Sequence, residues 1–162
     1  MSDLIVFYSF TGKARQDAEW LAFALKVDLA EIVEVNPRPY RSAFRCILDS
    51  FLRREPPIKP LAKYAATYDR VILVAPVWAA RLAGPVRTWL RTEGRRAKSL
   101  ALVVQSGTGR YVKSVVDEIE AIIGRKPAPV LSVTENDFGD HVAKSKINAF
   151  AKQLSPAAAH LA

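Results

Sequence analysis

Leu4-Ile5-Val6-Phe7-Tyr8 runs without a charged residue into Ser9-Phe10-Thr11-Gly12-Lys13-Ala14, and the reading of the whole chain grows from this junction. The first part is rich in β-branched and aromatic residues, as a buried strand would be. The second part is a turn of hydroxyls, a glycine and a lysine. From Ala14 the period changes: Ala14, Ala18, Leu21, Ala22 and Leu25 fall at helical spacing, with Arg15, Gln16, Asp17, Glu19 and Lys26 off that stripe. A strand, a polar turn and an amphipathic helix make one half of a β-α-β unit.

The same unit recurs along the chain. Residues 30–35 predict a second strand, closed by Asn36-Pro37-Arg38-Pro39. Residues 42–52 predict a helix with Phe44, Ile47, Leu48 and Phe51 inward, before Pro56, Pro57 and Pro60 force an irregular segment. Residues 70–75 are continuously apolar after Arg70, which suits a central strand ended by Pro76. Pro85 fits the first position of a helix running to Glu93. Residues 99–105 and 130–134 complete five strands. Val112, Val115, Val116, Ile119, Ile122 and Ile123 mark one further helix, and Ala143, Ile147, Phe150, Ala151 and Leu154 the last. Strands alternating with helices predict an α/β fold with a parallel sheet covered on both faces, because right-handed crossovers place the helices there.

The chain has 162 residues, enough for one domain with its own core, and residues 155–162 are expected to fray. A single cysteine, Cys46, excludes an intramolecular disulfide framework, and on a helix it reads as a small buried hydrophobe. Two histidines, His141 and His160, cannot form a three-histidine metal site. The longest apolar run is ten residues and contains Pro76, against about 20 needed to span a bilayer, so no membrane span is expected. Met1-Ser2-Asp3 places no basic segment before the first apolar run, so no secretory signal is expected and the cytoplasm is the default compartment.

Ligands of open parallel sheets sit at the carboxyl ends of the strands, near the point where strand order reverses. Three strand ends have unusual composition. In Ser9-Phe10-Thr11-Gly12-Lys13-Ala14, hydroxyls and an ammonium lie at a helix N-terminus, a general anion site. The loop lacks the spaced glycines of a Walker loop or a dinucleotide fingerprint. In Pro76-Val77-Trp78-Ala79, a tryptophan past the end of a central strand can lie over a planar ligand or pack as core. In Ser106-Gly107-Thr108-Gly109-Arg110-Tyr111, two glycines permit close backbone approach and Tyr111 can reach the same crevice or cap a helix.

Taken together, these three segments resemble the short-chain flavodoxins over nearly the whole chain and in the right order. The first loop resembles that family's S/T-x-T-G-x-T/A phosphate loop. Tyr68-Asp69, Ala75-Pro76-Val77-Trp78 and Gly84-Pro85 resemble its second flavin loop, and Ser106-Gly107-Thr108-Gly109 with Tyr111 its third. The resemblance implies a flavodoxin-like three-layer sandwich with a five-stranded sheet in the order 2-1-3-4-5, and bound flavin mononucleotide (FMN). Residues Ser9 to Ala14 would hold the phosphate. Trp78 and the backbone of residues 76–79 would meet one face and edge of the isoalloxazine. Ser106 to Gly109 would line the other edge, with Tyr111 near the second face. The chain departs from the family in Ala14, which lacks a hydroxyl, in Arg81 and Arg110 within the flavin loops, and in its charge. Family carriers are acidic, whereas here 24 Lys and Arg against 16 Asp and Glu leave +8.

Other readings have less support. A receiver domain needs an acidic cluster where Tyr8-Ser9 stands, and a low-molecular-weight phosphatase needs Cys-x5-Arg, whereas six residues separate Cys46 from Arg53. A basic stretch over residues 37–63 and another at Arg87, Arg91, Arg95, Arg96 and Lys98 would concentrate anions, but no nucleic-acid motif or row of stacking aromatics accompanies them. The expectation is therefore an FMN-binding electron carrier serving a redox partner, an acidic one by charge. An FMN-dependent quinone or flavin reductase, or a flavin-free basic binding module, remains the alternative.

Overall fold

A computed structural model of the chain describes residues 2–37, 43–138 and 141–155. Six strands are formed: β1 (Asp3–Phe7), β2 (Asp28–Glu31), β3 (Arg70–Trp78), β4 (Arg81–Leu82), β5 (Leu100–Ser106) and β6 (Val130–Thr134). The helices are α1 (Lys13–Leu25), α2 (Ala43–Phe51), α3 (Gly84–Thr92), α4 (Val112–Ile123) and α5 (Val142–Leu154). The five long strands are parallel in the order β2-β1-β3-β5-β6, and β4 pairs antiparallel with the end of β3. In chain order of the parallel strands this is the expected 2-1-3-4-5.

Alternation along the strands splits the core in two, since successive side chains point to opposite faces of a sheet. Leu4, Val6 and Tyr8 join Val71, Leu73, Leu102 and Val104 beneath α3 and α4, which supply Val86, Trp89, Leu90, Val115 and Ile119. Ile5 and Phe7 join Ile72, Val74, Ala101 and Val103 beneath α1 and α5, which supply Leu21, Ile147, Phe150 and Leu154. Each large apolar side chain buried this way contributes roughly 1.5–3 kcal/mol. Strands β3 and β5 are covered on both sides, which explains their unbroken apolar sequence.

Five expectations need correction. The second strand lies at Asp28–Glu31 rather than residues 30–35, because β1, its partner, ends at Phe7 opposite Glu31. Residues beyond it turn to another partner: Lys59 N donates to Val33 O (2.7 Å) and Val35 N to Pro57 O (3.0 Å). The third strand does not stop at Pro76 but continues to Trp78, where it folds back into β4. Pro76 needs no N–H there, since pairing with β1 has already ended at Val74.

Helix α2 faces opposite to its predicted orientation. Phe44, Ile47, Leu48 and Phe51 are exposed, while Cys46, Asp49 and Ser50 are buried. The chain approaches α3 too closely for large side chains: a Cβ on Gly84 would stand 2.8 Å from Arg54 O, just beyond α2. Small or hydrogen-bonding groups therefore turn inward. Asp17 is the fourth correction, being fully buried rather than off the core-facing stripe of α1. Pro85 occupies the second position of α3, not the first. Ser155 caps α5, and the rest of the expected frayed tail lies outside the described residues, as do Arg38 and Arg41. Among the described residues, no helix is long and apolar enough to cross a membrane.

Candidate functional site

The strand order reverses direction between β1 and β3, so the crevice above their carboxyl ends is the topological switch point. A cavity of about 110 Å³ opens there, lined by Phe10, Thr11 and Lys13, by Pro76, Val77 and Trp78, and by Ser106 and Gly107. All three of the strand-end segments singled out by composition therefore meet at one place. Gln105 and Glu135 also line it, and neither was anticipated. Gln105 is the one polar residue in the otherwise apolar run of residues 100–105, a signal that was available. Glu135 directly follows the fifth parallel strand, in a short acidic segment that carries no sequence sign of a ligand.

The first loop is built around Gly12, whose φ of 90° belongs to a conformation that favours glycine. Gly12 N donates to Ser9 Oγ at 3.1 Å, closing the turn from within. Gly12 O then accepts the first helical bond, from Gln16 N at 3.0 Å. The N–H groups at the start of α1 have no intrahelical acceptor, and the exposed Thr11 hydroxyl stands beside them. Ala14 packs into the core with 1% exposure, so the hydroxyl it lacks would belong to a buried side chain. Lys13 is not a free cation: its Nζ lies 3.0 Å from Glu135 Oε1 and over the Phe138 ring at 5.6 Å.

The second segment is a tight hairpin rather than an open loop. Ala79 and Ala80 take φ of 50° and 65°, the pattern of a two-residue type I′ turn, without the Asn or Gly that usually supplies it. Trp78 is half-buried at the base of this turn. Its ring meets Tyr8 and Phe10 edge-on, with centroids 5.8 and 5.7 Å away. Tyr8 is fixed in turn by donating its hydroxyl to the buried Glu34 at 2.6 Å. Ala79 itself is exposed and does not line the crevice.

In the third segment, Gly109 N donates to Ser106 Oγ at 2.9 Å, which shapes the turn leading to α4. Gly107 has open space around it. Thr108, Gly109 and the exposed Tyr111 stand outside the crevice wall, as do Gly12 and Ala14, and Ser9 lines a neighbouring cavity of about 210 Å³ on the far side of Phe10.

Beneath the crevice, Gln105 Nε2 donates to Asp17 Oδ2 at 3.2 Å, while Asp17 Oδ1 is buried without a hydrogen-bond partner. Burial pushes the Asp17 carboxyl up to about 7; the Gln105 bond opposes this and the nearby Asp137 charge adds to it. Asp137 is itself held below the usual carboxylate range: burial opposes this, but Lys146 and Thr134 outweigh it. No group of three or more His, Cys, Asp or Glu side chains among the described residues could hold a metal ion.

Comparison with known proteins places this geometry in context. No family model and no curated protein matches the sequence. Solved structures do match the fold. A flavoprotein from Lactobacillus acidophilus, in complex with FMN, aligns with a TM-score of 0.66 at 20% identity, covering 85% of this chain and 96% of that one. A candidate flavoprotein from Bacteroides eggerthii aligns at 0.72 and 19% identity, covering 93% and 96%. A Streptococcus pneumoniae flavodoxin aligns at 0.58 and 18% identity, covering 99% and 100%. The fold is flavodoxin-like.

Proposed function

We propose that this protein binds FMN at the switch-point crevice and carries electrons for a redox partner in the cytoplasm. The observation that carries the reading is the meeting of Thr11 and the α1 N-terminus, Trp78, and Ser106-Gly107 at one crevice. The donor set suits the cofactor. The free N–H groups of α1 and the Thr11 hydroxyl form an anion cradle, and the half-buried Trp78 offers an aromatic surface beside it. The flavin would supply one- and two-electron chemistry when bound, and this chain would supply anchorage and burial. Trp78, in the crevice wall, and the exposed Tyr111, which follows the third segment, would hold the ring.

Lys13 can serve the phosphate only by leaving Glu135. Both side chains are at least two-fifths exposed, at 40% and 65%, and such surface pairs contribute only about 0–1 kcal/mol. A phosphate dianion at the helix N-terminus outcompetes that pair. The charge of +8 favours an acidic partner. Among the described residues, the titratable side chains at the crevice are the paired Lys13 and Glu135 and, beneath it, the buried Asp17, a sparse set that suits a carrier better than a reductase.

Thr11→Ala is expected to weaken FMN binding by about tenfold or more, the loss of one charge-assisted hydrogen bond. Riboflavin lacks the phosphate and is expected to bind far more weakly to the parent protein and to be indifferent to the substitution. Fluorescence titration with both flavins measures this. Equal weakening of both would mean that Thr11 acts through the fold and not on the phosphate.

A further inference from the structure

A groove of about 680 Å³ between α3 and α4 is larger than the switch-point crevice. Its volume lies within the range of small-molecule sites, about 300–1,000 Å³. Six cations line it, and three are already neutralised. Arg87 Nη2 lies 2.7 Å from Glu118, Arg91 Nε 2.5 Å from Glu55, and Lys113 Nζ 2.6 Å from Asp117. Arg53, Arg81 and Arg110 line the same groove and make no ion pair with a described residue.

These three residues come from three different parts of the chain. Arg53 follows α2, in a left-handed turn (φ 53°) whose N–H donates to Ser50 O at 3.1 Å. Arg81 pairs with Trp78 across the β3–β4 hairpin. Arg110 precedes Tyr111 at the start of α4. The wall that carries them is braced: Glu118 accepts from Leu82 N at 3.1 Å and from Arg87 Nε at 2.8 Å, tying α4 to the hairpin and to α3. Ala121 and Ile122 add an apolar stretch.

Three surplus guanidiniums facing one concave surface repel one another until an anion joins them. Their planar forks suit phosphate oxygens better than a point charge does. We propose that this groove binds a nucleotide-sized phosphorylated molecule, with Arg53, Arg81 and Arg110 on its phosphates and the Ala121–Ile122 stretch against its apolar end. The site is separate from the crevice, although Arg81 and Arg110 adjoin segments of both, and it does not depend on a bound flavin.

The test is calorimetric titration with ADP, with and without saturating FMN, using adenosine as the phosphate-free control. ADP is expected to bind in both conditions and adenosine to bind at least tenfold more weakly. Arg53→Ser, at a residue that belongs to none of the three flavin segments and does not line the crevice, is expected to weaken ADP about tenfold and leave FMN affinity unchanged; Arg81→Ser is expected to weaken ADP similarly. Neither side chain makes an ion pair with a described residue, and thermal melts of each variant check that the fold is kept. ADP binding abolished by FMN but untouched by Arg53→Ser would place ADP in the crevice and overturn the proposal. Absence of ADP binding, or equal binding of adenosine, would overturn it as well. Absence of ADP binding leaves the flavin reading untouched, and Thr11→Ala tests that reading separately.

Discussion

Arg87→Ala is expected to lower the unfolding free energy by about 3–5 kcal/mol, the usual loss when one partner of a buried ion pair is removed. Arg87 is 2% exposed, and every part of its guanidinium is used. Its Nε donates to Glu118 Oε1 at 2.8 Å, Nη1 to Arg54 O at 3.1 Å and Nη2 to Leu82 O at 3.1 Å. One side chain thus ties α3 to α4, to the hairpin and to the segment after α2. Truncation would strand Glu118 with a single donor, Leu82 N, and leave two carbonyls without this partner. Arg87→Met together with Glu118→Leu removes both charges and is expected to recover part of the loss, since apolar replacement of a whole pair is often tolerated. Urea unfolding of the two variants measures both effects. A loss below about 1 kcal/mol for Arg87→Ala would mean that the surrounding elements hold together without it.

Asp17→Asn is expected to act in the opposite direction and only above acidic pH. The buried carboxyl titrates at about 7, against 3.8 for the unfolded chain. Between those values the folded state holds a proton that the unfolded state has released, so stability falls as pH rises from about 4 to about 7 and is level beyond. Fully developed, the penalty reaches about 4 kcal/mol, converting the two values in the preceding comparison at about 1.4 kcal/mol per tenfold. Asparagine keeps an oxygen for Gln105 and carries no charge. At pH 8 the variant is expected to be the more stable protein by up to that amount, and near pH 3.5 the two are expected to be nearly equal. Asp137, held low, acts in a different window: its stabilisation is lost as pH falls below 3.8, so it does not mimic the Asp17 slope. Urea unfolding at several pH values separates them. A variant less stable than the parent by the same amount at every pH would contradict the assignment.

Much of the architecture was legible because single strands and helices carry one dominant signal. Val71 to Ala75 and Leu100 to Val104 are apolar throughout, since both faces of the sheet cover them. The stripe of α5 matches its buried residues one for one. Helix α2 was misread because its apolar face implied burial, whereas the tight approach near Gly84 selects Cys46 and Ser50 inward and leaves Phe44 and Phe51 outside. The β3–β4 hairpin was hidden because Ala79-Ala80 lacks any turn residue. At the candidate site, the three loops were legible from glycines, hydroxyls and Trp78. The pairing of Lys13 with Glu135 was not, because 122 residues separate them and only the β6 connection brings them together. Asp17 was hidden by its own charge, which places it on the solvent side in any hydropathy pattern.

The central claim is that the switch-point crevice is a flavin site, and direct titration of the purified protein with FMN tests it. The expected result is saturation at one flavin per chain, with perturbed visible absorption and quenched flavin fluorescence as the ring meets Trp78. Quenching is expected to weaken in Trp78→Leu while the phosphate still anchors the ligand. FMN that keeps its free spectrum and its fluorescence at every protein concentration would contradict the claim and leave a flavodoxin-like fold put to another use.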